Sequence, residues 1–232
     1  MKPCKCFIVL LYSHLSFPQL AVIRDQDGFA NIRDAATSNS KIVDTLSNER
    51  VVFCFEDATE GNWLPIDYIR NGKNRSGYIH RSRLAFIDDM EEFQASIQND
   101  SSFTAKLDSI NFTIKTKQFT QRGRLLKYFK TDEGHTYLRS IDNKFPWGTD
   151  GNIPKKEYKL IEIKYGNKFL RIDKPHWSDL FEPNLDMTSA HFDKQTRKVY
   201  LYAFNSDGAG GYLVLWIFKD AQLLKREIFR PF

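Results

Sequence analysis

Asp27-Gly28-Phe29-Ala30-Asn31-Ile32-Arg33 decides how the first half of this chain is read. Asp-Gly accepts the positive φ of a tight turn, and apolar residues alternate with polar ones after it, as in a half-buried strand. The same grammar recurs on either side. Residues 21–24 lead into the turn, Thr37-Ser-Asn-Ser40 separates it from 41–46, and Ser47-Asn48 turns into 50–56. Glu60-Gly61-Asn62 then opens 63–68, Asn71-Gly72 marks a further turn, and 76–80 and 84–87 follow. Short strands at this spacing predict a small barrel.

Beyond residue 102 the chain is again rich in strands. Residues 110–119 alternate apolar and polar, and 125–130 and 137–141 are two more candidates. Residues 157–164 and 168–172 flank Tyr165-Gly166-Asn167, a hairpin signal, while 176–181 reads as one helical turn. Residues 198–204, 212–218 and 224–229 predict an antiparallel meander. Tyr212-Leu-Val-Leu-Trp-Ile-Phe218 is apolar throughout and is expected to be its central strand. Between the halves, 88–100 contains no Gly or Pro, and Met90, Phe93 and Ile97 recur at helical spacing after a run of carboxylates. That pattern predicts a helical linker over 88–102.

The first half resembles the bacterial SH3 (SH3b) family. The likeness is carried by Asp27–Arg33, Ile42-Val-Asp-Thr-Leu46, Gly61-Asn-Trp-Leu-Pro-Ile66 and Gly77-Tyr-Ile-His80-x-Ser82-x-Leu84. Glu49-Arg50 departs from the pattern, because the family usually offers a glycine turn there. The resemblance implies a non-catalytic, usually extracytoplasmic module that recognises peptides or cell-wall material. The expected fold is therefore mainly β: an SH3-like small barrel over 22–87, and a C-terminal antiparallel β-rich (α+β) domain over 103–232.

Length and composition agree with a folded chain: 232 residues, 41% apolar and 27% charged. They exclude low-complexity, collagen-like and polytopic membrane classes. Net charge is +5, with residues 21–90 carrying nine basic against eleven acidic groups and 91–232 carrying 23 against 18. No basic run exceeds two residues, so nucleic acid is not an expected partner and an acidic protein fits the charge as well. Lys2 and Lys5 precede the apolar stretch Cys6–Phe17, with Pro18-Gln-Leu-Ala21 after it. This reads as a secretory signal over 1–21 cut after Ala21, giving a periplasmic or otherwise extracytoplasmic bacterial protein with no membrane span. A buried N-terminal strand or helix is the alternative. After such a cut Cys54 would be the sole cysteine, excluding an internal disulfide.

Two loops of the C-terminal half place an acid before glycine: Phe145-Pro-Trp147-Gly-Thr-Asp150-Gly151 and Asn205-Ser-Asp207-Gly-Ala-Gly-Gly211-Tyr212. Turn chemistry is the first expectation for both, and partner binding through Trp147, Asp150, Asp207 and Tyr212 the second. A third would gather Asp150, Asp207 and either Asp179 or Glu182 into a calcium or acid/base site. The glycine run lacks Gly-Lys-Ser/Thr and precedes a strand, so it is no nucleotide loop. In the first half, Phe29 and Tyr68 are the candidate groove residues, with Trp63 and Tyr78 in the core or its rim. Cys54 lies mid-strand among apolar neighbours, which predicts a raised pKa and no nucleophile. No catalytic residue, metal or cofactor is expected.

Trp147–Gly151 and Ser206-Asp-Gly-Ala-Gly-x-Tyr212 also resemble motifs of small β-rich proteins from bacterial toxin–immunity loci. That likeness implies a non-enzymatic immunity protein that binds a secreted toxin. A peptidoglycan- or peptide-binding envelope protein is the alternative, and a cell-wall hydrolase using C-terminal carboxylates the second.

Overall fold

The computed structural model describes residues 19–56 and 61–230, and the protein is mainly β. The strands of the first half are β1 (Gln19–Ile23), β2 (Phe29–Arg33), β3 (Ile42–Ser47), β4 (Val51–Cys54), β5 (Trp63–Arg70), β6 (Lys73–His80) and β7 (Leu84–Phe86). They make one antiparallel sheet, ordered β3-β2-β6-β5-β4-β1-β7, curled around Ile23, Ile32, Leu46, Leu64, Ile66 and Ile79. The sheet bends where β6 meets β2. A Cβ on Gly77 would stand 2.5 Å from Ile32 Cγ2, so only glycine allows that approach.

The second half contains β8 (Glu91–Glu92), β9 (Gln94–Asn99), β10 (Ser102–Leu107), β11 (Ile110–Gln118), β12 (Leu126–Lys130), β13 (Thr136–Ile141), β14 (Lys156–Tyr165), β15 (Lys168–Arg171), β16 (Thr188–Asp193), β17 (Lys198–Asn205), β18 (Tyr212–Lys219) and β19 (Gln222–Phe229). They form two five-stranded sheets, β15-β14-β11-β10-β9 and β19-β18-β17-β16-β8, with β12–β13 apart as a two-stranded hairpin.

Three layers result, and the β19–β8 sheet lies in the middle. Tyr212, Val214, Trp216 and Phe218 point into a core shared with Phe103, Phe112, Ile114, Tyr158 and Ile161 of the neighbouring sheet. The alternate residues Leu213, Leu215 and Ile217 face the other way, onto Leu20, Val22, Val51 and Phe53 of the curled sheet. Strand β18 is therefore buried on both faces, which is why the only polar groups among the side chains of 212–218 are the Tyr212 hydroxyl and the Trp216 indole N–H, both hydrogen-bonded. Strands β1 and β4 are buried on both faces for the same reason: Ala21, Ile23, Val52 and Cys54 fill the curled core.

Polar contacts tie the same seam. Arg24 bonds the buried Asp193 carboxylate, and Lys198 Nζ reaches Glu49 Oε2 at 2.9 Å. Glu49 adopts φ 67° at the turn between β3 and β4. A non-glycine residue there is strained, and its carboxylate anchors the turn to the second half.

Two sequence expectations change. Residues 88–102 form no helix: β8 pairs with β16, and β9 forms a hairpin with β10. Phe93 is buried in the core of the second half, whereas Ile97 is exposed on an outer strand, so the helical spacing was coincidental. The α component is likewise missing, since helical geometry among the described residues is limited to 3-10 turns such as Lys174–His176 and Leu185–Met187. Leu20 and Ala21 are buried in β1, where they pair with Phe53 and Val52. A cut after Ala21 would remove three residues of that strand. The rest of the proposed signal, 1–18, lies outside the described residues.

Candidate functional site

The loops after β13 and β17, both singled out by sequence, meet in one cleft. Its floor is set by Trp147, whose N–H donates to Asp179 O and whose carbonyl accepts from Phe181 N, both at 2.9 Å. Behind Trp147 lies Tyr212, wholly buried, its hydroxyl donating to Phe181 O at 2.9 Å. The opposing loop is latched by Ser206 Oγ, which donates to Gly148 O at 2.8 Å. Gly148 adopts φ 90°, and a Cβ there would stand 2.5 Å from Phe181 O. One on Gly210 would stand 3.2 Å from Gly148 O. These two glycines are what let the loops touch.

The cleft has a volume of about 420 Å³. Phe129 and Tyr137 of the β12–β13 hairpin, Phe145, Trp147, Asp150 and Arg230 supply its side-chain walls, and backbone of Gly148–Gly151 and Ala209–Gly211 completes it. The hairpin is joined to the loop by Leu138 N donating to Gly151 O at 2.6 Å. Phe129 and Tyr137 stack at 5.4 Å. Arg230 packs against two rings, its Cζ 4.6 Å from the Trp147 centroid and 5.0 Å from that of Phe145.

A second concavity, sharing Phe145, continues along the hairpin past Lys127, Tyr128, Arg139, Asn143 and Lys144. Tyr128, Phe129 and Phe145 are 47%, 46% and 55% exposed, far beyond what a packed aromatic normally shows. The cations between them make no direct salt bridge with a carboxylate among the described residues, though Asp142 lies near enough to Lys144 to feel its charge. Lys127 Nζ bonds Asn143 Oδ1 at 2.7 Å and Lys144 Nζ bonds Ser178 Oγ at 3.1 Å, both neutral. Elsewhere comparable cations are neutralised: Arg124 by Asp142 and Glu157, Arg226 by both oxygens of Asp179.

The predicted binding residues therefore divide. Trp147 and Asp150 line the cleft. Tyr212 supports it from behind and cannot touch a ligand, because its ring is fully covered. Asp207 is exposed outside the cleft lining. Asp179 is committed to Arg226, and Glu182 accepts from Lys155 N, so neither joins Asp150 and Asp207 in a shared site. Among the described residues no three His, Cys, Asp or Glu side chains stand close enough to hold a metal.

In the curled sheet, Phe29 is exposed and lines a smaller groove of about 330 Å³ with Asn31, Arg33, Trp63 and His80. Tyr68 does not belong to it. It is buried in the barrel core with its hydroxyl 3.1 Å from Asp44 Oδ2, and Trp63, placed by sequence in the core or its rim, is the second groove aromatic. On β5 the alternating residues Leu64, Ile66 and Tyr68 all point inward, which the two-residue period would have shown had it been counted from Leu64. Cys54 is buried, and burial pushes its thiol up to about 12, leaving it un-ionised at neutral pH.

Sequence reasoning missed Phe129, Tyr137, Arg139 and Arg230. The available signal was Leu126-Lys-Tyr-Phe-Lys130, a strand too basic and aromatic to have both faces covered. Compared with protein-family models, curated proteins and solved structures, the chain matches none.

Proposed function

We propose that this protein is a non-enzymatic binding protein whose partner is another protein with an acidic face. The observation that carries the reading is the hairpin surface itself. Tyr128, Phe129, Phe145 and Trp147 are interleaved with Lys127, Arg139, Lys144 and Arg230, and none of these cations forms an ion pair with a described carboxylate at contact distance, although Asp142 stands near Lys144. Exposed aromatics and arginines are the side chains that dominate protein interfaces, because they bury large area for little entropy. Uncompensated positive charge steers an acidic partner and selects against basic ones. The loops of the cleft beneath are tied to each other by Ser206 Oγ to Gly148 O and to the body by Trp147, which lowers the reorganisation cost of binding.

A finer reading is that the partner is a secreted toxin and the chain an immunity protein that occludes it; the loop motifs at Trp147–Gly151 and Ser206–Tyr212 support it. The Phe29–Trp63 groove favours the second reading, in which an SH3b-like half binds peptide or peptidoglycan. Affinity capture with tagged full chain from its native cells, run beside sedimentation with purified peptidoglycan, separates them. A single stoichiometric protein partner is expected. Sedimentation with the wall and no protein partner would contradict the proposal.

A further inference from the structure

Arg230 differs from the other cations of this surface in how it is held. Its guanidinium lies in the notch between Phe145 and Trp147, whose rings meet edge to face at 5.0 Å and an interplanar angle of 74°. Contact with the rings holds the guanidinium carbon in place through cation–π attraction, and the N–H groups that do not face a ring remain open to a planar anion. Arg230 is exposed and makes no hydrogen bond or ion pair with any described residue. Of the two rings, Trp147 is itself anchored. Trp147 is pinned through both backbone groups and backed by Tyr212, and Thr149 Oγ1 closes the turn by donating to Pro146 O at 3.0 Å.

From this geometry we infer that Arg230, clamped by Phe145 and Trp147, is a carboxylate-recognition site that receives an Asp or Glu side chain from an extended segment of the partner. The inference rests on the protein-partner reading and adds its chemistry. A pre-positioned guanidinium loses less entropy per hydrogen bond than a free one and takes a carboxylate through two parallel bonds. The rest of the cleft selects the residue beside that acid. Phe129 and Tyr137 offer an apolar wall, and the glycine backbone opposite leaves room for an aromatic or aliphatic side chain. Asp150 at the same cleft supplies an acceptor for a peptide N–H of the segment and disfavours a second carboxylate. One cation beside one acid suits a single carboxylate better than the repeated phosphates of a nucleic acid, which call for a run of cations. The cleft continues past Phe145 into the Lys127–Arg139 concavity, so the segment can run onward instead of ending there.

The test is an NMR titration of the isotope-labelled full chain with acetyl-Gly-Phe-Asp-Gly-amide, followed at Arg230 Nε and Trp147 Nε1. Saturable shifts at both positions are expected, with binding at least about tenfold weaker for the Asn-containing analogue. Arg230→Gln should erase the difference between the two peptides. Arg230→Lys, which keeps the charge but not the fork, should recover only part of it. Equal binding of the Asp and Asn peptides, or a difference that survives Arg230→Gln, would overturn the inference. So would stronger shifts of the same resonances by polyuridylate, which would assign the site to single-stranded nucleic acid. A captured partner whose affinity falls with Lys127→Ala and Arg139→Ala yet ignores Arg230→Gln would refute the clamp while leaving the partner reading intact.

Discussion

Strand β18 and the β12–β13 hairpin are both rich in aromatic residues, and their fates are opposite. In β18 every side chain from Tyr212 to Phe218 is covered, by one sheet on each face. In the hairpin, Leu126, Leu138 and Ile141 turn inward against Phe119 and Phe181, while Tyr128, Phe129 and Tyr137 remain in water. Lysine explains part of the difference. Lys127 and Lys130 keep the outer strand solvated and blunt its free edge, whereas β18 carries no charge before Lys219. Burial of aromatic area is what stabilises the three-layer body. The same area left exposed and flanked by cations is available for association.

Four perturbations sharpen this contrast, in descending order of effect. Trp216 is fully buried, meets Tyr158 edge to face at 5.8 Å and donates its indole N–H to His176 O at 3.1 Å. Trp216→Ala should cost about 3–5 kcal/mol in denaturant unfolding, and a loss below about 1 kcal/mol would show that the middle sheet is not the body's core. Gly148→Ala lies between the two regions. Its Cβ would collide with Phe181 O at a φ of 90°, so a loss of about 1–3 kcal/mol is expected together with a displaced Trp147 indole resonance.

Asp193 joins the curled sheet to the middle one. Burial raises its carboxyl pKa, but bonds from Thr196 Oγ1, Arg24 and Gln195 N outweigh that and hold it below the usual carboxylate range. A native pKa below the unfolded one stabilises the fold above about pH 4 and loses that contribution as pH falls through the native value. Asp193→Asn should therefore cost about 1–3 kcal/mol at neutral pH and progressively less below about pH 4. A cost independent of pH over that range would remove the ionised carboxylate from the account. Smallest in stability is Phe129→Ser, within about 0.5 kcal/mol of the parent protein, while affinity for the captured partner should fall about tenfold or more. Comparable losses of both would make the exposed aromatics structural.

Much of the fold was legible from turns and periodicity. Asp27-Gly28, Asn71-Gly72 and Gly166-Asn167 each sit at a strand reversal, and β2 begins and ends where its sequence predicts. The 88–102 segment failed because Met90, Phe93 and Ile97 are spaced for a helix, yet β16 and β10 offered unpaired edges that its backbone could fill. Pairing partners distant in sequence leave no local trace. The continuous apolar runs in β1, β4 and β18 were visible, but that they face one another was not.

The site was half legible for a related reason. Glycine and Trp147 announced the loops, because close approach requires residues of a particular shape. Arg230 is separated from Trp147 by the whole of the last six strands, and no spacing rule links them. Tyr212 and Tyr68 misled because an aromatic next to a glycine loop or on a short strand reads alike whether it points in or out.

The central claim is that the partner docks on the hairpin and its cleft. Hydrogen exchange on the captured complex, compared with the free chain, tests it most directly. The account predicts added protection across 126–130, 136–151 and 208–211, with the curled sheet unchanged. Protection confined to 27–33 and 61–64, around Phe29 and Trp63, would contradict it and transfer the binding function to the first half.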